Sequence, residues 1–289
     1  MPICVEHVTH IYMAGSAMAQ TALDDISFTI GEGEFWAVIG HTGSGKSTLV
    51  QHLNGLILPQ TGRVLVDGLD MNDKKQRVQG RGLVGMVFQY PEYQLFEETV
   101  AKDVAFGPRN LGLGEEETAQ RVEEALRLVG LAPEIFAQKS PFDLSGGEKR
   151  RAALAGIVAM RPKYLVLDEP MAGLDPRGRH AVMQLILQLR EKTGCAIIMV
   201  SHSMDDVSLY ADRVLVLSQG RVALQGQPQS VFGDPEQLLG LGLDVPQAAQ
   251  LAVALRSRGI CVPREIYRLP DLEAWLRSHC SAKEVNTRA

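Results

Sequence analysis

The stretch Gly40-His41-Thr42-Gly43-Ser44-Gly45-Lys46-Ser47 decides the fold class of this chain. It fits the phosphate-loop pattern G-x-x-x-x-G-K-[ST], with an apolar strand-like segment before it and a helical start at Thr48 after it. Glycines at a helix N-terminus let backbone N–H groups converge on phosphate oxygens. Lys46 would neutralise charge on the β- and γ-phosphates, and the Ser47 hydroxyl is a hard oxygen ligand suited to Mg²⁺. The loop predicts an α/β core that binds a nucleoside triphosphate.

A second motif, Leu165-Val166-Leu167-Asp168-Glu169, places two carboxylates at the end of an apolar strand. In a doubly wound sheet the carboxyl ends of the strands face one crevice, so we expect these carboxylates beside the phosphate loop. Asp168 is predicted to hold Mg²⁺, largely through water, and Glu169 to orient and deprotonate the attacking water. An acidic pair after a strand is by itself more often a helix cap or a solvated turn. The phosphate loop favours the catalytic interpretation.

A helical block is predicted between these motifs, because Lys46 and Asp168 stand 122 positions apart, far more than one βα unit needs. An amphipathic helix is predicted over residues 115–129, and a second helix over residues 144–160. The second begins at Leu144-Ser145-Gly146-Gly147-Glu148, which matches a capping box. From these five residues alone, a capped helix start is slightly favoured over an anion site. However, Lys149, Arg150 and Arg151 stand where the helix dipole disfavours them, which indicates a phosphate nearby.

The remaining patterning predicts two kinds of sheet and a helical appendage. Residues 3–11, 22–30 and 35–39 are expected to form an N-terminal antiparallel sheet, residues 163–167 and 196–200 to form buried parallel strands, and residues 213–217 and 221–224 to form a hairpin. After Gly233, prolines punctuate short helices. We therefore expect a main domain over residues 1–233, with a helical subdomain roughly over residues 90–160, and a helical C-terminal extension over residues 234–289.

Composition excludes several other classes of protein. The 289 residues carry a net charge of −5, so no basic excess supports binding to nucleic acid. Every apolar run is much shorter than the stretch of about 20 residues that spans a bilayer. The four cysteines lack the spacing of a zinc site or a disulfide scaffold, and the N-terminal segment resembles no targeting signal. These features predict a cytoplasmic protein without a membrane anchor of its own.

With these motifs in this order, the chain resembles the ATP-binding cassette (ABC) ATPases over roughly residues 3–225. The resemblance implies a P-loop NTPase with a RecA-like core, an N-terminal antiparallel β-subdomain and an inserted helical subdomain that carries the signature sequence at Ser145. Tyr12 is similar to the aromatic that stacks on adenine, and Gln89 to the Q-loop glutamine. Asp175 is similar to the D-loop aspartate, and His202 to the switch histidine that touches the γ-phosphate. Taken singly, each of these four residues has an ordinary structural explanation, such as an Asp-Pro turn for Asp175.

The resemblance thus implies three sets of site residues, with ATP and Mg²⁺ as the bound groups. The catalytic set is Glu169, His202, Gln89 and Lys46, and the Mg²⁺ ligands are Ser47, Gln89 and Asp168. The ATP-binding set is Tyr12, Gly40, His41, Thr42, Gly43, Ser44, Gly45, Lys46, Ser47, Thr48, Ser145, Gly146, Gly147 and Asp175.

A narrower resemblance is to the energy-coupling factor branch of this family. It rests on residues 88–92, residues 103–110 and the C-terminal run Leu241-Gly242-Leu243-Asp244-Val245-Pro246. It implies an importer ATPase on the cytoplasmic face of the membrane, paired head to tail with a second cassette. A paralogue is favoured as that second cassette, and a copy of this chain is the alternative. The pair would drive a transmembrane coupling protein and a membrane component that binds a vitamin or a transition-metal ion.

Three features of the chain bear on its contacts with such partners. The acidic residues Glu92, Glu97, Glu98 and Asp103 would suit basic side chains of a coupling helix, although a solvated acidic face explains them about equally well. Met171 replaces a small hydroxyl residue of the family pattern, and Glu148 occupies a position that is more often Gln. Neither departure removes a catalytic group.

Three alternatives to an energy-coupling factor ATPase stay open. The chain could serve another type of ABC transporter. It could be a soluble cassette that acts on ribosomes or DNA, which the single cassette and the absence of basic charge disfavour. It could also be a nonhydrolytic regulatory cassette, which the intact Lys46, Asp168, Glu169 and His202 disfavour.

Overall fold

A computed structural model of the chain describes the backbone of residues 1–286 and the side chains of residues 1–279. Two sheets form its frame. The first has the order β2-β1-β4-β5 and is antiparallel throughout. The second has the order β10-β9-β3-β8-β7-β6 and is parallel except for the edge hairpin of β9 and β10. The strands are β1 (Ile3–Tyr12), β2 (Gln20–Ile30), β3 (Phe35–Gly40), β4 (Thr61–Val66), β5 (Leu69–Asp70), β6 (Val84–Val87), β7 (Tyr164–Asp168), β8 (Ala196–Val200), β9 (Arg213–Ser218) and β10 (Arg221–Gly226).

One strand prediction is wrong, because residues 35–39 do not join the N-terminal antiparallel sheet. β3 lies inside the six-stranded sheet, parallel to β8 and β9, and every residue of it is buried. Its two faces pack against different cores, with Trp36 in one and Ile39 in another. A strand covered on both faces has a continuous apolar sequence rather than an alternating one, and Phe-Trp-Ala-Val-Ile is such a run.

The helices surround the two sheets. Helix α4 buries Val122, Ala125 and Leu126, the residues whose spacing predicts it. Between β6 and β7, helices α3 to α6 pack against one another and form the predicted helical block. The helices are α1 (Lys46–Leu53), α2 (Lys74–Leu83), α3 (Val100–Asn110), α4 (Glu115–Leu128), α5 (Pro133–Phe136), α6 (Gly146–Val158), α7 (Pro176–Thr193), α8 (Met204–Tyr210), α9 (Pro228–Phe232), α10 (Pro235–Gly240), α11 (Gln247–Ser257) and α12 (Leu269–Asn286).

The C-terminal helices pack onto the sheet that carries the phosphate loop. Phe232, Leu243 and Val245 share one buried cluster with Ile39 of β3 and Val207 of α8. A smaller cluster of α11, α12 and the segment between them lies beside it. Residues on both sides of position 233 therefore contribute to one core, and the domain boundary at 233 stays a prediction. Among the described residues, no helix is both long and apolar enough to cross a membrane.

Candidate functional site

The phosphate loop joins the carboxyl end of β3 to the first turn of α1, as its sequence context predicts. Gly40 and Gly45 have φ angles of +153° and +102°, and an added β-carbon would lie 2.3 Å from the carbonyl oxygen of Leu217 or 2.4 Å from that of Ala22. Only glycine fits at these two positions. Gly43 also has a positive φ, +80°, but an added β-carbon there would meet nothing within 4 Å. Close contacts thus fix the loop at Gly40 and Gly45, whereas Gly43 between them has free space around it.

Two polar groups of the loop fit an anionic ligand. The Lys46 ammonium donates hydrogen bonds to the carbonyl oxygens of Gly40, at 2.7 Å, and His41, at 2.8 Å. Lys46 is only 6% exposed, and this burial lowers its pKa, although the nearby carboxylates of Glu169 and Asp168 raise it. The hydroxyl of Ser44 is buried without a hydrogen-bond partner. A buried cation and an orphaned hydroxyl in one loop are the donors that a phosphate would satisfy.

The Asp168 carboxylate lies at the end of β7, on the same edge of the sheet as the phosphate loop. Asp168 is 7% exposed, and burial raises its pKa. The Ser47 hydroxyl donates to Asp168 Oδ1 at 3.4 Å. A hydroxyl and a buried carboxylate at this distance are hard oxygen ligands that fit Mg²⁺. The third predicted ligand, Gln89, hydrogen-bonds to Glu169, and its role as a Mg²⁺ ligand stays a prediction.

Glu169 brings the predicted catalytic residues together. Its Oε1 lies 2.7 Å from His202 Nε2, and its Oε2 accepts a hydrogen bond from Gln89 Nε2 at 3.2 Å. Glu169 has a φ of +50°, a left-handed conformation that costs free energy for a residue other than glycine. The turn after β7 thus holds this carboxylate between Gln89 and His202.

Tyr12 is half-exposed beside α1, and a buried histidine pair supports it. The Tyr12 and Thr48 hydroxyls lie 3.1 Å apart, and the His10 ring packs edge-on against Tyr12 with centroids 4.6 Å apart. His10 Nδ1 lies 3.2 Å from His52 Nε2, and His52 Nδ1 donates to the Thr48 carbonyl at 2.7 Å. Neither histidine is predicted from the sequence. Their spacing places His10 and Tyr12 on one face of β1 and His52 one helical turn after Thr48, but this spacing does not show that the strand and the helix meet.

Two members of the predicted ATP-binding set have side chains engaged elsewhere. His41 Nε2 lies 2.6 Å from the carbonyl oxygen of Leu241, so only the His41 backbone faces the loop interior. Asp175 Oδ1 accepts from the Gly178 amide at 2.7 Å and caps α7, the ordinary role of an Asp-Pro turn. An ATP contact from Asp175 stays a prediction.

The signature residues Ser145, Gly146 and Gly147 begin α6 with the predicted capping box. The Ser145 hydroxyl donates to Glu148 Oε2 at 2.7 Å, and an added β-carbon on Gly146 would meet nothing within 4 Å. Within the described chain, none of the three hydrogen-bonds to the phosphate loop. The helix start is therefore an open surface.

Arg150, one of the basic residues of α6 taken to indicate a nearby phosphate, has a carboxylate partner within the chain. Its guanidinium donates to Glu92 through Nε, at 3.2 Å, and Nη2, at 3.1 Å, and to the carbonyl oxygens of Pro170 and Ala172. Arg150 is 8% exposed. The Glu92 carboxylate, rather than a phosphate, compensates its charge.

Three of the four acidic residues assigned to a coupling helix have partners inside the chain. Glu92 pairs with Arg150, and Asp103 Oδ2 accepts from the amides of Phe96, at 2.8 Å, and Glu97, at 2.9 Å. Charge reversal at Glu92 or Asp103 would therefore disrupt contacts within the chain as well as any contact with a coupling helix. Glu98 is exposed but pairs with Lys102 one turn later.

A phosphate loop, a paired-carboxylate strand end and an inserted helical block on this sheet define an ATPase of the ABC transporter class. Residues 23–172 match the family model described as ABC transporter. The chain is 54% identical to energy-coupling factor transporter ATP-binding protein EcfA2 of Symbiobacterium thermophilum, over 96% of each protein. It is 52% identical to the EcfA2 of Caldanaerobacter subterraneus, over 94% of this chain and 95% of that protein. The chain therefore belongs to the energy-coupling factor transporter ATP-binding proteins.

Solved structures agree with this assignment. CbiO1 from Clostridium perfringens, described as part of the ABC transporter complex CbiONQ, superposes with a TM-score of 0.72 at 40% identity, over 86% of this chain and 97% of that one. An ATP-binding cassette solved as a dimer in a post-hydrolysis state with ADP and Pi has a TM-score of 0.69 at 28% identity, over 78% of this chain and 98% of that one. The predicted fold class and transport ATPase are confirmed, and these relatives do not favour a cassette that acts on ribosomes or DNA.

Proposed function

We propose that this chain binds MgATP at its phosphate loop and hydrolyses it against the signature residues of a second cassette, and that this drives import of a vitamin or a transition-metal ion. The observation that carries the proposal is the arrangement around Glu169. Its carboxylate is held between His202 and Gln89 at the sheet edge where Lys46 and the orphaned Ser44 hydroxyl form an anion site.

Each group has a distinct task in hydrolysis. Glu169 accepts a proton from the attacking water, and its contacts with His202 and Gln89 hold the carboxylate toward the γ-phosphate. Lys46 offsets the negative charge of the β- and γ-phosphates, and Ser44 donates to a phosphate oxygen. Ser47 and Asp168 would hold Mg²⁺. The bound ion would offset the negative charge that develops on the phosphate oxygens. Tyr12 presents its ring to adenine, with His10 behind it.

The active unit is a head-to-tail pair of cassettes, because one chain supplies only part of the site. The signature surface at Ser145 is open and makes no hydrogen bond to the phosphate loop of its own chain. A relative that binds ADP and Pi is a dimer. We favour a paralogue as the second cassette. Bound ATP joins the two chains, and cleavage of its terminal phosphate removes that link.

The membrane partner docks at the groove beside α3, on the cytoplasmic face of the membrane. Tyr93, Phe96 and Phe106 are 83%, 57% and 46% exposed, and the two Phe rings pack edge-to-face with centroids 5.0 Å apart. Exposed aromatic clusters of this kind mark protein-interaction surfaces. The relative CbiO1 is part of a transporter complex, which supports a membrane component as the occupant. Purification in detergent, with identification of the bound membrane protein, tests this assignment.

The test of the chemistry is Glu169→Gln. The amide keeps the shape of the side chain but cannot accept the water proton, so we expect phosphate release to fall about 100-fold or more while ATP binding is retained. Steady-state phosphate release and equilibrium ATP binding, both on the purified transporter, give the two readouts. The matched control is Glu191→Gln on the exposed surface of α7, which should leave both unchanged. Near-normal phosphate release by the Glu169 variant would remove this residue from the base role.

A further inference from the structure

His41, inside the phosphate loop, links that loop to the C-terminal extension. Its imidazole turns away from the loop interior, and Nε2 lies 2.6 Å from the carbonyl oxygen of Leu241, which is 200 residues later in the chain. Because a carbonyl oxygen only accepts, the imidazole donates and carries its proton on Nε2. The His41 carbonyl oxygen accepts from Lys46 Nζ at 2.8 Å. One residue thus contacts both the phosphate-binding lysine and the extension.

The acceptor is a tight turn shaped around the imidazole. Leu241 follows the last residue of α10, where helix carbonyls lack partners within the helix. Gly242 then adopts a φ of +69°, and an added β-carbon there would lie 3.3 Å from His41 Nε2. The Leu243 amide donates back to the carbonyl of Leu238 at 2.9 Å, and both leucines are buried. The turn presents a fixed carbonyl to the loop.

The same extension also holds the helix that follows the switch histidine. Asp205, in the first turn of α8, accepts from the Gln247 amide at 2.9 Å, and the Ser208 carbonyl accepts from Arg268 Nε at 2.9 Å. Ile39, the residue before the phosphate loop begins, packs in the same cluster as Leu243. The extension therefore spans the two segments that carry Lys46 and His202.

We propose that His41 is a positioning residue through which the C-terminal extension sets the ATP affinity of the phosphate loop. The hydrogen bond to Leu241 holds the loop in its present conformation, in which Gly43 has no close neighbours. The loop therefore loses less conformational freedom when a phosphate binds. Energetic coupling between two sites is reciprocal, so bound nucleotide must also stabilise the turn at Leu241. The inference rests on the proposed function in one respect, that this loop is the ATP site.

The variants are His41→Leu, which removes the donor, and His41→Gln, whose amide can still donate. In the assembled transporter, we expect the Leu variant to raise the KM for ATP about three- to tenfold, the net effect of one hydrogen bond, with kcat changed less than twofold. The Gln variant should return the KM to within about twofold of wild type. If His41 only stabilised the fold, its substitution would not raise KM while leaving kcat nearly constant, and the Gln variant would not restore KM. A wild-type KM in the Leu variant, or equal impairment in both variants, would overturn the proposal.

A second measurement is made on the wild-type chain, with Lys46→Ala as the control for nucleotide binding. Hydrogen exchange of the wild-type full chain, with and without saturating MgADP, should show slower exchange of the amides of residues 241–243 when nucleotide is bound. Unchanged exchange there, with nucleotide bound, would overturn the inference alone. Absence of nucleotide binding by the wild-type chain, with the same result for Lys46→Ala, would overturn the proposed function as well.

Discussion

Glu169 has a strained backbone, and both oxygens of its carboxylate have a hydrogen-bond partner. A left-handed conformation at a residue other than glycine costs on the order of 1–3 kcal/mol. Its backbone amide donates to the Val200 carbonyl at 3.2 Å, and its carbonyl accepts from Ala172 at 3.1 Å, which holds the turn. Glycine would relieve the strain but would remove the carboxylate from His202 and Gln89. The strain persists because the turn must deliver a carboxylate.

The buried His52, beside the proposed nucleotide site, makes stability depend on pH. Burial, together with the nearby His10, lowers the pKa of His52 from 6.5 to about 4, although the hydrogen bond to the Thr48 carbonyl opposes this shift. The unfolded chain binds a proton at this position below pH 6.5, whereas the folded chain binds it only near pH 4. The stabilisation is therefore complete above pH 6.5 and is lost as the pH falls toward 4.

We expect His52→Gln to remove this pH dependence, because Gln can still donate to the Thr48 carbonyl and does not titrate. Between pH 7 and pH 5, wild type should lose about 2 kcal/mol more of its free energy of unfolding than the variant does. Urea unfolding at the two pH values measures the difference. Equal losses in the two proteins would show that His52 is protonated already in the folded state.

The sequence predicts the site residues better than the residues that support them. Lys46, Ser47, Asp168 and Glu169 stand in motifs whose spacing follows from phosphate chemistry, so their grouping at one edge of the sheet could be predicted without a fold. His52 could not, because a histidine within an amphipathic helix looks the same whether it faces water or a buried partner on β1. Only the pairing of β1 with the rest of the chain makes that distinction.

At the scale of secondary-structure elements, the sequence does not predict which distant strands and segments pack against one another. The apolar run of β3 indicates a strand, but its neighbours β8 and β9 lie more than 150 residues away. Similarly, the charge of Arg150 on α6 has an explanation only when the turn at Glu92 packs beside it. This guanidinium joins three segments: the turn after Gln89, the signature helix and the loop after Glu169.

We expect Arg150→Ala to lower the free energy of unfolding by about 3 kcal/mol, because it leaves the partly buried Glu92 carboxylate without its cation. The neighbouring residue, Lys149, has no carboxylate partner within the described part of the chain, so Lys149→Ala is the matched control and should cost less than about 0.5 kcal/mol. Chemical denaturation of the two variants and of Glu92→Gln provides the comparison. Equal stability of the Arg150 and Lys149 variants would mean that the ion pair contributes little to holding α6.

At the scale of the whole molecule, the two halves of the proposed ATP site are carried by different elements of one chain. The loop at Lys46 and the carboxylates of Asp168 and Glu169 meet at one sheet edge, whereas Ser145 begins a helix of the inserted block and contacts its own Glu148. Head-to-tail pairing would bring each half against the opposite half of a second cassette. A substitution in each half should then reduce nucleotide trapping on a different subunit.

The two substitutions are Ser145→Arg and Lys46→Ala, each made in this chain within the purified transporter. In a head-to-tail pair the arginine would obstruct the contact between the signature surface and the partner's loop, so trapped nucleotide should fall about 100-fold on the partner and stay on this chain. The alanine removes the cation from this chain's own loop, so trapped nucleotide should fall on this chain. Both results can be measured by vanadate trapping of a photoactivatable ATP, followed by separation of the two cassettes. If the two cassettes are identical, tagged and untagged copies are separated instead. If the Ser145 variant instead lost the label from its own chain, the signature would act on its own loop, and a head-to-tail site would be wrong.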